Sequence, residues 1–302
     1  MHRRTAAAAL LTAGLLAPLP ANAQPTNTTQ ATAACEMSLG SVNAAGDHTG
    51  QGITAGSPPT ASTKRIEATK RFAPGLTRLH STWVIEPEVP DDLAHYGEVV
   101  LGSTMYSAIY RTGAVPSDAV TFSRVGGGWD KFTYFEESTY DEGAAANFAH
   151  THYYGLRNDG TLFRWRDGWK ADGSYPGFSA VKTMALISQT RTYDTFLANT
   201  RGGALYTIRI PVSSPMKPIV KQVRTRTWQG FESFVAERCG QYGVLLLGID
   251  KDSKTGYLYA VGHANGTSTV INSLGKVPTT FDDQTYFRWT SVAWADPPLN
   301  GE

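Results

Sequence analysis

A chain of 302 residues carries 27 Lys and Arg against 26 Asp and Glu, with 41% hydrophobic and 11% aromatic side chains and two cysteines. A balance so close to neutral excludes a nucleic-acid binder built on a basic stripe. The densest basic cluster, Lys217, Lys221, Arg224 and Arg226, alternates with Val220, Val223 and Thr225 as an exposed strand face does. Gly-x-Ser-x-Gly, His-Glu-x-x-His and Gly-x-x-x-x-Gly-Lys signatures are absent from the sequence, which removes the common hydrolase and phosphate-binding motifs.

The first 23 residues combine a basic start (His2, Arg3, Arg4), an apolar stretch from Ala6 to Leu19 and an Ala21-Asn22-Ala23 end, the pattern of a secretory signal. A membrane anchor needs about 18 to 20 unbroken apolar residues, and Thr12, Gly14 and the two prolines break this stretch early. Without it 25 basic and 26 acidic side chains remain, and no later segment is apolar enough to span a bilayer, so an exported, soluble product is expected. Residues 24–34 are small and polar and are expected to form a flexible leader, with one domain over residues 35–302. Cys35 and Cys239 both fall in that domain and are expected to pair in an oxidising compartment.

Residues 37–42 and 52–54 flank a Gly46–Gly50 turn and predict a hairpin, and residues 55–63 with Pro58-Pro59 predict a loop. From Arg65 onward, short runs rich in Val, Ile, Tyr, Phe, Trp and Thr are bounded by Gly, Pro, Asn and Asp, and all read as strands. Four copies repeat an apolar run, a small residue, a polar turn and an aromatic or aliphatic pair. These are Val99–Gly102 with Ile109-Tyr110, Tyr153–Gly155 with Leu162-Phe163, Phe196–Ala198 with Leu205-Tyr206, and Leu245–Gly248 with Leu258-Tyr259. The pairs recur at 53, 43 and 53 residues, a period that marks a β-propeller. A second element precedes three of the runs: Trp129-Asp130-Lys131-Phe132, Tyr175-Pro176-Gly177-Phe178 and Trp228-Gln229-Gly230-Phe231. Together they predict blades near 65–112, 119–167, 170–212 and 217–263, with half a blade at each end. Joining the 36–55 hairpin to strands in 279–295 completes a fifth blade closed by both termini, which removes bare sheet edges and sets Cys35 beside Cys239.

Gly127-Gly128-Trp129-Asp130-Lys131-Phe132 followed by Tyr153-Tyr154-Gly155-Leu156-Arg157-Asn158-Asp159-Gly160-Thr161-Leu162-Phe163-Arg164 resembles a repeat of the tachylectin family, five-bladed propeller lectins. The resemblance covers about half of the exported chain. It implies the five-bladed β-propeller fold and binding of N-acetylated hexosamines between blades. Asp159-Gly160 gives way to Tyr106-Ser107, Gly202-Gly203 and Thr255-Gly256 in the other copies, so the pockets are not equivalent round the ring.

Trp129 and Trp228 are the candidate sugar-stacking rings, with Asp130, Asp159 and Gln229 as hydroxyl partners; core packing and turn capping are the competing roles of these residues. Asp250–Gly256 begins like a calcium loop, but Lys254 stands where an oxygen ligand is wanted, so a polar hairpin tip is expected. His150 and His152 share one strand face without a nameable third ligand, so no metal and no cofactor are expected. The expected function is carbohydrate binding without covalent chemistry. The alternatives are a propeller hydrolase or lyase acting on polysaccharide, with carboxylates supplied by separate blades, and a propeller that binds protein.

Overall fold

The structure is a computed structural model that describes residues 34–89, 92–113, 119–143, 145–293 and 295–302. The expected signal segment and all but the last residue of the leader lie outside the described residues. The described residues form an all-β protein whose only helical pieces are short 3₁₀ turns. No helix among them is long and apolar enough to cross a membrane.

The strands run in chain order as successive antiparallel sheets. β1 (Glu36–Val42), β2 (His48–Thr54), β3 (Thr60–Ala61) and β4 (Arg65–Ala68) come first, followed by β5 (Thr77–His80), β6 (Trp83–Val89), β7 (Asp92–Leu101), β8 (Thr104–Gly113) and β9 (Thr121–Gly127). Three four-stranded sheets succeed them. They are β10 (Phe132–Asp141), β11 (Ala149–Arg157), β12 (Leu162–Arg166) and β13 (Lys170–Tyr175); β14 (Val181–Gln189), β15 (Tyr193–Thr200), β16 (Leu205–Pro211) and β17 (Ile219–Arg224); and β18 (Ser233–Arg238), β19 (Gly243–Asp250), β20 (Thr255–Gly262) and β21 (Ile271–Lys276). β22 (Thr285–Thr290) then pairs antiparallel with β1, Leu39 opposite Arg288 and Val42 opposite Thr285. This is a propeller-like arrangement with strands from both ends of the domain sharing one sheet. β22 also makes a short parallel pairing with β6, Trp289 opposite Trp83, which links the shared sheet to its neighbour.

The inner strands touch in succession: β5 packs on β10, β10 on β14, β14 on β18, β18 on β22 and β22 on β5. Strands one step out carry the continuous apolar runs and are buried on both faces, from Gly97 to Val100, His152 to Leu156, Asp194 to Asn199 and Gly243 to Ile249. Each sheet must lean on its neighbours to cover such a strand. Cys35 and Cys239 are disulfide-bonded, with Cα atoms 5.4 Å apart, and so tie β1 to the sheet that holds β18 and β19.

The two repeated sequence elements have physical causes. Between the second and third strands of a sheet lies a tight turn whose carbonyl is bonded by the segment leading into the next inner strand. Thus the Trp129 N–H donates to Ser103 O (3.0 Å), Phe178 N–H to Gly160 O (2.9 Å), Trp228 N–H to Gly203 O (3.1 Å) and Phe72 N–H to Gly46 O (3.0 Å). The small residue of the repeat leaves room for a ring: a Cβ on Gly155 would come within 2.9 Å of Phe132, and one on Gly248 within 2.9 Å of Phe231.

Three expectations need correction. Sheets begin later than the blades drawn from sequence, at Phe132, Val181 and Ser233, because the segments before Trp129, Tyr175 and Trp228 form the outer edge of the preceding sheet. Those edge strands are mostly exposed and carry no apolar run, so they mark no boundary. The first hairpin turns at 43–47, where Asn43 accepts the Ala45 and Asp47 N–H groups, so His48, Thr49 and Gly50 belong to β2. In the first repeat copy Gly102 sits in the turn itself (φ 59), and the glycine beneath an aromatic ring is Gly97, whose Cβ would lie 2.6 Å from Trp83.

Candidate functional site

Trp129 and Trp228 occupy the entries to β10 and β18, and both rings are covered, at 5% and 6% exposure. Trp129 packs against Phe132 (4.4 Å between centroids), Phe135, Trp165 and Trp169; Trp228 against Tyr259 (4.8 Å), Phe231 and Phe234. A pyranose stacks on an open ring face, and neither tryptophan presents one. Asp130 and Gln229 are exposed beside them, and their carbonyls accept Arg78 and Lys182 respectively. Asp159 closes its own turn: it accepts the Thr161 N–H (3.0 Å) and the Arg157 guanidinium (2.9 Å), and that ion pair holds its carboxyl well below the usual range. Asn158 N–H bonds Lys131 O, so the Asp159 turn lies beside the Trp129 segment, whereas Trp228 and Gln229 lead into a different sheet.

The other sequence candidates are structural. In the Asp250–Gly256 tip, Asp250 accepts the Ser253 N–H at 3.0 Å. His150 and His152 sit 4.9 Å apart, with His152 3.6 Å from Asp194, a fully buried carboxylate that also accepts Ser138 and Tyr154 hydroxyls at 2.6 and 2.7 Å. No group of three or more His, Cys, Asp or Glu among the described residues could hold a metal ion.

A separate cluster of polar side chains lines a crevice of about 330 Å³ between the β5–β9 sheet and the β10–β13 sheet. Its walls are Val84 on β6, Tyr96 and Glu98 on β7, Ser107 on β8, Ser123 on β9, Glu137 on β10 and Tyr153 on β11. Successive strand residues face opposite ways, which is why Glu137 enters this crevice while Glu136 turns toward the inner strands. Glu136 accepts the backbone N–H groups of Thr82 (2.7 Å) and Glu137 (3.0 Å). Burial pushes its carboxyl up to about 7 against the pull of those bonds and of Arg288.

Glu98 and Glu137 come from different sheets and line the same crevice. Glu98 is 6% exposed; Ser107 donates to its Oε1 (3.3 Å) and Ser81 lies 3.4 Å from its Oε2. Burial first, and the neighbouring Glu137 charge second, drive the Glu98 carboxyl well above its ordinary range. Thr139 donates to Glu137 Oε1 at 2.9 Å. Tyr153 stacks on Trp169 (4.3 Å, 5° between planes), and burial first, then the Glu137 and Glu98 charges, raise its phenol. Burial, with Glu86 beside it, pushes the Tyr96 phenol up to about 12.

Val84, Tyr96 and Glu137 also border a second cavity of about 210 Å³ that reaches Gln189, Arg288 and Asp296. There the segment after β22 crosses the inner strands: Leu299 and Gln189 exchange hydrogen bonds, and Gly301 N–H donates to Ile187 O. Nothing in the sequence marks the Glu98–Glu137 pair, two glutamates 39 positions apart in no shared motif.

No protein-family model matches the chain, and no curated protein is similar to it. A solved structure described as the complex structure of the fission yeast SREBP-SCAP binding domains overlaps 82% of this chain and 78% of that one, at 8% identity and a TM-score of 0.30. A likeness that loose carries no argument about fold or function.

Proposed function

We propose that the chain is an exported five-bladed β-propeller, closed by strands from both ends of the domain, that binds carbohydrate in the crevice between β7 and β10. The succession of inner-strand contacts that returns from β22 to β5 supports closure, and so does the β1–β22 pairing. The disulfide supports an oxidising compartment. The lectin resemblance of the Trp129–Arg164 segment points the same way, with N-acetylated hexosamines as the first ligands to try. The site moves from the covered tryptophans to the crevice. One observation carries the reading: within about 330 Å³ the crevice gathers two carboxyls, two serine hydroxyls and two tyrosine side chains. A pocket of that size with convergent polar groups beside aromatic walls suits one sugar ring.

Binding to a glycan array, followed by titration calorimetry, tests it. Ser107→Ala and Tyr153→Phe are expected to abolish or weaken binding while leaving the melting temperature near wild type. Binding to no glycan, or binding indifferent to both variants, refutes the reading.

The raised Glu98 carboxyl, in one crevice with Glu137, favours a second reading, polysaccharide cleavage with Glu98 as proton donor and Glu137 as the opposing carboxylate. Glycosidase carboxyls stand about 5 to 10 Å apart, so this pair would have to separate around the substrate. Release of reducing ends from a polysaccharide, lost in Glu98→Gln, is the result that would establish it.

A further inference from the structure

We propose that residues 296–302 form a strap that leaves its seat as a unit while the sheets stay folded, and so opens the space between the inner strands. The strap adds itself to the free inner edge of β14, which pairs with β15 on its other side. Asn300 pairs antiparallel with Ser188. The Gly301 N–H donates to Ile187 O (2.8 Å), the Gln189 N–H to Leu299 O (2.9 Å) and the Leu299 N–H to Gln189 Oε1 (3.1 Å). Beyond β14, the Ala264 N–H donates to Gly301 O (2.7 Å).

Two cavities end at the strap. One, of about 160 Å³, is walled by residues of β5, β10, β14, β18 and β22, Glu136 among them, and by Leu299. The other, the cavity of about 210 Å³ described above, is walled by Asp296, Pro297 and Pro298. Thr82 and Arg288 border both, so withdrawal of the strap joins the two. Val84, Tyr96 and Glu137 border the second cavity and the crevice alike. The strap therefore gates a passage that runs from the crevice to the inner strands.

Little apolar surface holds the strap down. Leu299 is its one buried apolar side chain, and the remaining anchors are polar. Asp296 accepts the Thr290 hydroxyl and Arg288 (3.4 Å), but Glu237 also holds Arg288 (3.1 Å), so unlatching Asp296 leaves no buried cation without a partner. The seated strap carries a cost of its own: Asn300 Oδ1 is buried with no hydrogen-bond partner among the described residues, and release returns it to water. Pro297 and Pro298 have no N–H, so the ladder stops at Leu299 and the strap can pivot there. Segments held by few apolar contacts open locally, well below the free energy of global unfolding.

Native-state hydrogen exchange of the full chain tests this. Four amides report on the strap: Leu299 and Gly301 within it, and Gln189 and Ala264 on its seat. They are expected to exchange together, about a hundredfold or more faster than the amides of the β15–β16 pairing. Gly301→Ala is the perturbation, because a Cβ there would lie 2.8 Å from Ile187 O and 3.2 Å from Val244 Cγ1. It should speed the four amides by a further factor of about ten and leave β15–β16 protection unchanged. Exchange of the four at the β15–β16 rate in the wild type would mean that the strap departs only when the protein unfolds, and would overturn the inference. So would Gly301→Ala accelerating both groups equally, or neither.

Discussion

Placing one methyl group on Gly248 tests the packing that generates the repeat. A Cβ there would lie 2.9 Å from two carbons of the Phe231 ring and 3.1 Å from a third, closer than real side chains approach. Phe231 has little space to retreat into, since it is 8% exposed and packs on Trp228, Phe234, Tyr257 and Tyr259. Overpacking of this kind costs about 1–3 kcal/mol, offset by up to about 1 kcal/mol because alanine loses less backbone freedom than glycine on entering a strand. For a domain this long each kcal/mol lowers the melting temperature by about 2–4 °C, so Gly248→Ala should lower it by several degrees. Phe231→Ala alone should cost about 3–5 kcal/mol through the cavity it opens. The two changes touch one contact, so the cycle should not add. With the ring gone, the extra methyl should cost little, leaving a coupling of about 1–2 kcal/mol. Denaturant unfolding of wild type, both single variants and the double variant measures it. Additivity within about 0.5 kcal/mol would refute the steric account of the glycine beneath the Phe231 ring.

Two further outcomes follow from the seam and the buried titratable groups. Cys239→Ser releases a cross-link between residues 204 apart, for which the loop-entropy relation gives up to about 5 kcal/mol; Cys35→Ser and reduction of the wild type should match it in denaturation midpoint. Stability should respond to pH in two opposed limbs. Glu136 is raised from 4.5 to about 7, so the folded state holds the extra proton and stability declines as pH climbs through that window. His80 and His95 are lowered by burial from 6.5 to about 3 and about 4, so the unfolded state takes up the proton and stability declines as pH falls below 6.5. Glu136→Gln should flatten the first limb and His80→Gln the second in melting curves taken from pH 3 to 8.

Much of the architecture was legible because its steric requirements recur in the sequence. Gly155 and Gly248 each sit under a phenylalanine from the preceding element, and a turn that must accept a bond from the next sheet keeps its tight geometry. The end-to-end pairing was legible by subtraction, since the 36–55 hairpin lacked an inner strand and the 285–290 strand lacked outer ones. Sheet boundaries were not, because β9, β13 and β17 face solvent and nothing apolar fixes which neighbour they join. For the site, sequence pointed to the aromatic residues able to stack on a sugar, but Trp129 and Trp228 are the ones the fold covers. Glu136 and Glu137 are adjacent acids on opposite faces of β10, and the Glu98 that shares a crevice with Glu137 stands on another sheet. Tertiary assembly, not local pattern, makes that pair.

The shared sheet also dictates an order of events during synthesis. Leu39 waits for Arg288, 249 positions further along, before β1 gains its inner neighbour. Until then the first hairpin emerges as a ribbon with an open flank, the kind of edge that recruits wrong partners. Contacts this distant make assembly slow, so β1 gains that neighbour only after β22 has been synthesised.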